Sequence, residues 1–487
     1  MEIREFVRTN YKKVIGWGTG GYFDKYFGEV SVDIDYLIDS DETKWGKQKN
    51  GLNIVSPDHL LDEDPIQTLI IVFSSFFYEI KERVKSYGDF DVVSAYQMKR
   101  IVLDKKPILE SDELDRPVII TISGGNFTEF IGGTSKFIRE QMDLILRQGK
   151  THLHLFWMYY DFKVYRDHLI FVVKNGRLIG AYPFEKVNSV LPLVEKLVIH
   201  NLMFLNTDVL DRMIDSLPAN AKLIYYLHDY SCICKNIKLM YNNEIFCGAF
   251  NKQWEPCLTC KYNEKRIRIY EYHVGLFHNR KDLQLIAPSE HVKKNICIAF
   301  NLDADRIRVI PHQTFELATV KRKVTHDKIR IAYVGYKNQH KGWEVFKQIV
   351  NRFGRKYDFY CFGRTDEYLE NVRHVEVSFI EDGPLAMVKK LEQYQIDVAF
   401  LWSLCPETYS YTYFESGTAG AFVLTSILSG NIAEQTLRYQ NGTVLKGDDE
   451  LFELLNNEEQ LRHMLEQQRV VFRNLRINFE EINSVIA

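Results

Sequence analysis

Short apolar runs recur along this chain, separated by helix-length segments of mixed polarity. The first set lies at residues 13–15, 34–39 and 69–73, and the helical spacing of 79–87 follows it. A polar stretch, 105–116, reads as a linker. A second set occupies 118–122, 153–157, 197–199, 223–226 and 283–287. A polar, basic connector at 319–328 leads to a third set at 329–334, 357–362, 372–377, 398–401 and 422–425. From Glu450 onward the pattern is that of a charged amphipathic helix, an element able to pack back on the preceding domain. Short runs without polar alternation are strands buried on both faces, and their alternation with helices predicts parallel sheets. Ligands of such sheets sit beyond the carboxyl ends of the strands. Chemistry is therefore expected in the turns that follow strands.

Three domains are expected: 1–108, 109–318 and 319–487. The composition agrees, with 487 residues, 46% apolar and 26% charged, which excludes general disorder. A net charge of -3 excludes a surface wholly matched to nucleic acid. No run reaches the ~20 apolar residues of a membrane span, and residues 1–10 lack the apolar core of a secretory signal. The cytoplasm is the expected compartment.

Two turns carry candidate chemistry. Near the amino terminus, Gly16, Gly18, Gly20 and Gly21 follow the first strand, and Asp39 closes the second. A glycine turn followed by a strand-end acid is the opening of a nucleotide-binding βαβ unit. In the last domain, the strand 329–334 runs into Gly335, Tyr336, Lys337 and then Lys341-Gly342. The strand 397–402 is followed by Glu407, Thr412 and Glu415, and then by Gly417, Gly420 and Gly430. One acid falls in a loop and the other on the next helix.

This second arrangement resembles the donor site of the family-4 type of retaining glycosyltransferases, marked by two glutamates at the spacing of Glu407 and Glu415. The resemblance covers roughly residues 117–470. It implies a GT-B fold, in which two Rossmann-like α/β domains face each other, here preceded by a smaller Rossmann-like α/β domain. It further implies transfer of a sugar from a nucleoside diphosphate to an acceptor hydroxyl with retention. The acceptor class is a saccharide, glycolipid or protein-linked glycan, as in bacterial surface polysaccharide or glycoconjugate synthesis. Glu407 would lie at the sugar, Glu415 at the ribose, and Thr412 with loop amides at the diphosphate. Lys341 matches the phosphate-binding lysine. A sugar leaving its diphosphate is oxocarbenium-like, so charge must be met on both ring and phosphate. No catalytic metal or other cofactor is implied.

One position departs from the pattern: Tyr336 stands where the resemblance places an arginine, so Lys337 or Arg364 is the candidate replacement. In the middle domain, Gly132-Gly133-Thr134 before a helix beginning near Lys136 resembles the loop that faces donor phosphates, with Gly133 at the phosphate. His228-Asp229 and Ser289-Glu290 end two strands, and His228 is the candidate catalytic or acceptor-side histidine, whereas His200 reads as an ordinary hydrogen-bonded one. Cys234, Cys247, Cys257 and Cys260 include a Cys-x-x-Cys and could close a structural zinc site, with buried thiols as the alternative. Lys261, Lys265, Arg266, Arg268, Arg280 and Lys281 make the next segment basic, which suits either a solvated helix face or contact with the inner face of an anionic membrane. Two rival readings remain: an NAD(P)-dependent nucleotide-sugar-modifying enzyme using the first glycine loop and Asp39, and a non-catalytic glycosylation partner.

Overall fold

The computed structural model describes residues 3–98, 107–129, 132–157, 169–202, 207–248, 255–320, 326–363, 367–379, 381–468 and 470–478. The chain divides into two compact units, residues 1–131 with 141–222, and residues 132–140 with 223–487.

The first unit opens with strands β1 (Lys13–Trp17), β2 (Tyr36–Ile38), β3 (Gln48–Lys49), β4 (Leu52–Val55), β5 (Thr68–Val72) and β6 (Asp91–Ser94). Their order is β3-β4-β2-β1-β5-β6. All neighbours are parallel except the β3–β4 hairpin. Residues 14–17 of the central β1 are buried, as expected of an apolar run with helices on both faces. The same unit contains β7 (Val118–Ser123), β8 (Thr151–Phe156), β9 (Ile170–Lys174), β10 (Arg177–Tyr182) and β11 (Val194–Ile199), ordered β10-β9-β8-β7-β11. The β9–β10 pair is an antiparallel hairpin turning at Asn175-Gly176. Apolar runs without alternation do not reveal it, but the Asn-Gly dipeptide is a hairpin signal.

The second unit continues with β12 (Lys222–Tyr226), β13 (Met240–Tyr241), β14 (Ile245–Phe246), β15 (Leu283–Ala287), β16 (Ile307–Val309) and β17 (Gln313–Thr319). Strands β12, β15 and β16 are parallel neighbours, and β13–β14 is a small hairpin. A parallel six-stranded sheet follows: β18 (Arg330–Val334), β19 (Asp358–Phe362), β20 (Val372–Val375), β21 (Val398–Phe400), β22 (Phe422–Ser426) and β23 (Gly442–Leu445), in the order β20-β19-β18-β21-β22-β23. One face packs Trp343, Phe346, Leu451 and Leu455, and the other packs Phe414, Ile432 and Phe472. The expected fold class, α/β with Rossmann-like parallel sheets, is the one observed. Strand order reverses between β18 and β21, which makes their carboxyl ends the switch point where such sheets bind ligands.

The tail corrects one expectation. Helices Asp448–Asn456 and Glu458–Gln467 are as predicted, but Val470–Ile477 is a strand, β24, paired antiparallel with β17. Its Val470, Val471 and Phe472 favour a pleated, half-buried surface. Phe472 is fully buried against Phe315, Phe414 and Tyr439, so tertiary packing overrides the charged helical pattern. Thr319, expected to begin a connector, is instead the last residue of β17.

Candidate functional site

The turn after β18 is shaped by its own polar side chains. Asn338 accepts the backbone N–H of His340 at 3.4 Å and caps the short turn Gln339–Lys341. Gly342 then adopts φ 75°, and a Cβ there would overlap the Trp402 carbonyl, so the residue after Lys341 must be glycine. The helix Trp343–Phe353 starts at once and buries Trp343, Phe346 and Ile349. These constraints aim Lys341 at the loop after β21, where its Nζ lies 3.3 Å from Glu407 Oε1.

That loop is held from several sides. Glu407 bridges to Gly430, and the Asn431 N–H donates to the Glu407 carbonyl at 3.0 Å. Gly430 has φ 59°, and a Cβ there would stand 2.6 Å from Pro406 Cα. Thr408 Oγ1 donates to the His228 carbonyl at 2.5 Å, and Ser289 Oγ donates to the Thr408 carbonyl at 2.9 Å. The strand ends carrying His228 and Ser289 therefore buttress the acid loop. Ser403 Oγ donates to Glu407 Oε1 at 3.3 Å. Lys341, Glu407, Thr412, Ser403, Ser410 and Tyr333 line one small cavity.

Glu415 sits apart from that cavity. Ser410 caps the helix Tyr411–Thr418, and Glu415 lies buried on it, paired with Lys136 at 3.3 Å. Lys136 Nζ also stands 4.6 Å from the Tyr411 ring centroid. Gly133 at the start of that helix lies against the same ring, where a Cβ would make an ordinary contact at 3.5 Å. Lys136 is a residue the sequence marks only as the start of a helix. Its position just after a glycine pair was the available signal.

Of the two candidate replacements for the missing arginine, Lys337 does not join Lys341. Tyr336 is exposed. Lys337 turns to the Glu367 carbonyl, His374 and the faces of Trp343 and Tyr368. Arg364 lies outside the described residues.

His228 is covered rather than open. Its ring stacks on Tyr226 at 5.4 Å, meets Phe137 at 5.0 Å and hydrogen-bonds His312 Nε2 through Nδ1 at 3.1 Å. Burial pushes its pKa down to about 3, and His312 is lowered by burial and by His228, so the pair is neutral. His200 bonds Gln141 at 2.9 Å, the ordinary role expected of it.

Cys234, Cys247, Cys257 and Cys260 line one small cavity with Asn236 and Tyr262. The Asn236 N–H donates to Cys234 Sγ at 3.4 Å. Thiolates suit zinc, but among the described residues no group of three or more His, Cys, Asp or Glu is arranged to hold a metal ion.

The amino-terminal glycine turn differs again. Asp39 Oδ2 accepts from the Thr19 N–H at 3.0 Å, from Thr19 Oγ1 at 2.5 Å and from Lys44 at 3.1 Å, and Oδ1 accepts the Asp41 N–H at 3.0 Å. Burial opposes its ionisation, but these donors outweigh it and hold the carboxyl below the usual range. A ribose-binding acid must offer its oxygens to a ligand, and these are taken by the chain itself.

Among the described residues no helix is long and apolar enough to cross a membrane. Residues 10–92 match a family model described as C2185-like, N-terminal. No curated protein matches the chain. Similar solved structures include sucrose-phosphate synthase from Thermosynechococcus elongatus, at 12% identity over 72% of this chain and 92% of that one, with a TM-score of 0.44. HepE from Anabaena in complex with UDP-glucose gives 12%, 72%, 93% and 0.43 on the same measures. WaaG, a glycosyltransferase involved in lipopolysaccharide biosynthesis, gives 12%, 72%, 93% and 0.45.

Proposed function

We propose that the chain is a retaining glycosyltransferase of GT-B type that moves a sugar from a nucleoside diphosphate to an acceptor hydroxyl. The supporting observation is the pairing of Lys341 with Glu407 at 3.3 Å, in a cavity lined also by Thr412, at the switch point of a parallel sheet. A cation and a hydroxyl suit a diphosphate, and a carboxylate suits the positive charge that grows on the sugar ring. In this reading the bond from the anomeric carbon to the phosphate oxygen breaks and its electron pair stays on the diphosphate. The acceptor oxygen bonds the same face of that carbon and yields its proton to the departing phosphate.

Lys341 and Thr412 meet the diphosphate, Glu407 orients and stabilises the sugar, and Glu415 with Lys136 and Gly133 serves the nucleotide end. His228, neutral and covered, acts through its carbonyl on the acid loop and as an uncharged neighbour of the acceptor side, not as a proton-donating acid. The acceptor is a saccharide, glycolipid or protein-linked glycan, with the basic helix Asn263–Asn279 as the element that would meet an anionic membrane. Testing a panel of nucleotide sugars for hydrolysis and transfer by wild type, Lys341→Ala and Glu407→Gln decides the matter. Turnover of one donor that both variants lose is the expected result, and undiminished turnover in either variant would refute it.

A further inference from the structure

A departing diphosphate calls for more than one positive charge, and among the described residues lining the cavity Lys341 is the one cation. Tyr336 is neutral and exposed, and Lys337 is turned to Trp343, His374 and the Glu367 carbonyl. A different lysine lies beside the site. Lys238 Nζ is 3.0 Å from His340 Nδ1, on the residue immediately before Lys341. His340 in turn is bound into the acid loop, since its carbonyl accepts the Leu404 N–H at 2.8 Å and Ser403 Oγ at 3.1 Å. Lys238 is half-buried, and burial holds its pKa below the usual lysine value, with Glu407 acting against that and Lys341 with it.

The hydrogen-bond geometry around His340 denies that ammonium this ring nitrogen as an acceptor. His340 Nδ1 is also 2.6 Å from Asn338 Oδ1. An oxygen that close requires a proton on Nδ1, and a protonated Nδ1 has no lone pair for Lys238. Full protonation of the ring does not resolve this, because burial and the neighbouring Lys238 and Lys341 push the His340 pKa down to about 3. Lys238 forms no ion pair among the described residues. Two cations, Lys341 paired with Glu407 and Lys238 beside the residue before it, thus stand together at this turn. A half-buried excess of positive charge is a binding site for an anion.

The backbone holds Lys238 in this place. Its N–H donates to Asn236 Oδ1 at 3.2 Å, while Asn236 Nδ2 donates to the Met240 carbonyl at 2.8 Å. The segment is closed further by the Cys247 N–H on the Leu239 carbonyl at 2.8 Å. The cysteine-lined turn is therefore the frame that carries a lysine to the acid loop, which gives that turn a use independent of any metal.

We infer that Lys238 is the second cation of the donor site and that, with Lys341, it contacts the diphosphate of the sugar nucleotide, doing the work for which the sequence offers no arginine at Tyr336. This rests on the glycosyltransferase reading above. Binding of UDP, ADP and GDP, and of the corresponding nucleosides, is measured by calorimetry for wild type, Lys238→Met, Lys238→Arg and Lys341→Ala. Thermal melts confirm that each is folded. Lys238→Met is expected to weaken the preferred diphosphate about tenfold, leave its nucleoside within about twofold, and be largely rescued in Lys238→Arg. If wild type and Lys238→Met bind the diphosphate equally while Lys341→Ala does not, the Lys238 assignment is overturned alone. If wild type binds none of the three diphosphates, the donor-site reading falls and takes this one with it. A loss of equal size for diphosphate and nucleoside would mean a merely structural lysine, and would also overturn it.

Discussion

The two glycine turns of this chain have the same grammar and opposite fates. Each follows the central strand of a parallel sheet at a point where strand order reverses, β1 beside β5 and β18 beside β21. Each has a carboxylate within reach. After β1, Asp39 is saturated by Thr19, Asp41 and Lys44. After β18, Glu407 meets Lys341 in a small cavity, with Lys238 close by and without a carboxylate partner among the described residues. A switch point is thus only an opportunity for a ligand. The two turns differ in how far the chain's own donors satisfy the acid: Asp39 accepts four such bonds, whereas Glu407 Oε1 takes Ser403 and Lys341.

The contrast is broken most directly by activity. Lys341→Ala or Glu407→Gln should lower donor turnover by about a hundredfold or more, the usual cost of removing one charge-stabilising group. Asp39→Asn should leave turnover unchanged, and a comparable loss there would mean that the first turn also serves catalysis.

The next effect is on stability. Glu415→Gln leaves Lys136 buried without its acid, which costs about 3–5 kcal/mol by the usual penalty for half a buried pair. Urea unfolding measures it, and the double variant Lys136→Met with Glu415→Gln should regain much of the loss. No recovery would show that the pair is not the source.

Asp39→Asn should cost less, about 1–3 kcal/mol for donors left poorly satisfied. The pH dependence has a definite sign. Because the folded carboxyl titrates below its unfolded value, its contribution is complete above about pH 4 and is lost as the pH falls through the lowered folded value. Urea midpoints between pH 6 and pH 2.5 should lose this acid-side slope in the variant, and an unchanged slope would assign it to other groups. The smallest change is expected from Tyr336→Arg placed in the Lys238→Met background. An exposed arginine is worth under about 1 kcal/mol, so only a few-fold recovery of diphosphate affinity is anticipated in calorimetry. Full recovery would argue that position 336 remains the better seat for the second cation.

Much of this was legible beforehand where information is local. Apolar runs without alternation announced buried parallel strands, Lys341-Gly342 announced a turn, and the order of strand, lysine turn, strand and acid pair located the donor-like region. What stayed hidden depended on partners distant in sequence. Phe472 finds Phe315 and Phe414, and a tail with a helical pattern ends as a strand. Lys136 reaches Glu415 across most of the chain's length, and Lys238 reaches His340 from a turn that read only as a cysteine cluster.

The sequence by itself determined the α/β class and the identity of Lys341, Glu407, Thr412 and Glu415 as candidates, because periodicity and turn chemistry act over a few residues. Only the tertiary structure decided which of them meet. It set Glu407 against Lys341, paired Glu415 with Lys136, closed Asp39 with its neighbours and turned Lys337 away. The physical reason is that a charge acquires a role from what surrounds it once water is displaced, and those surroundings are assembled by folding.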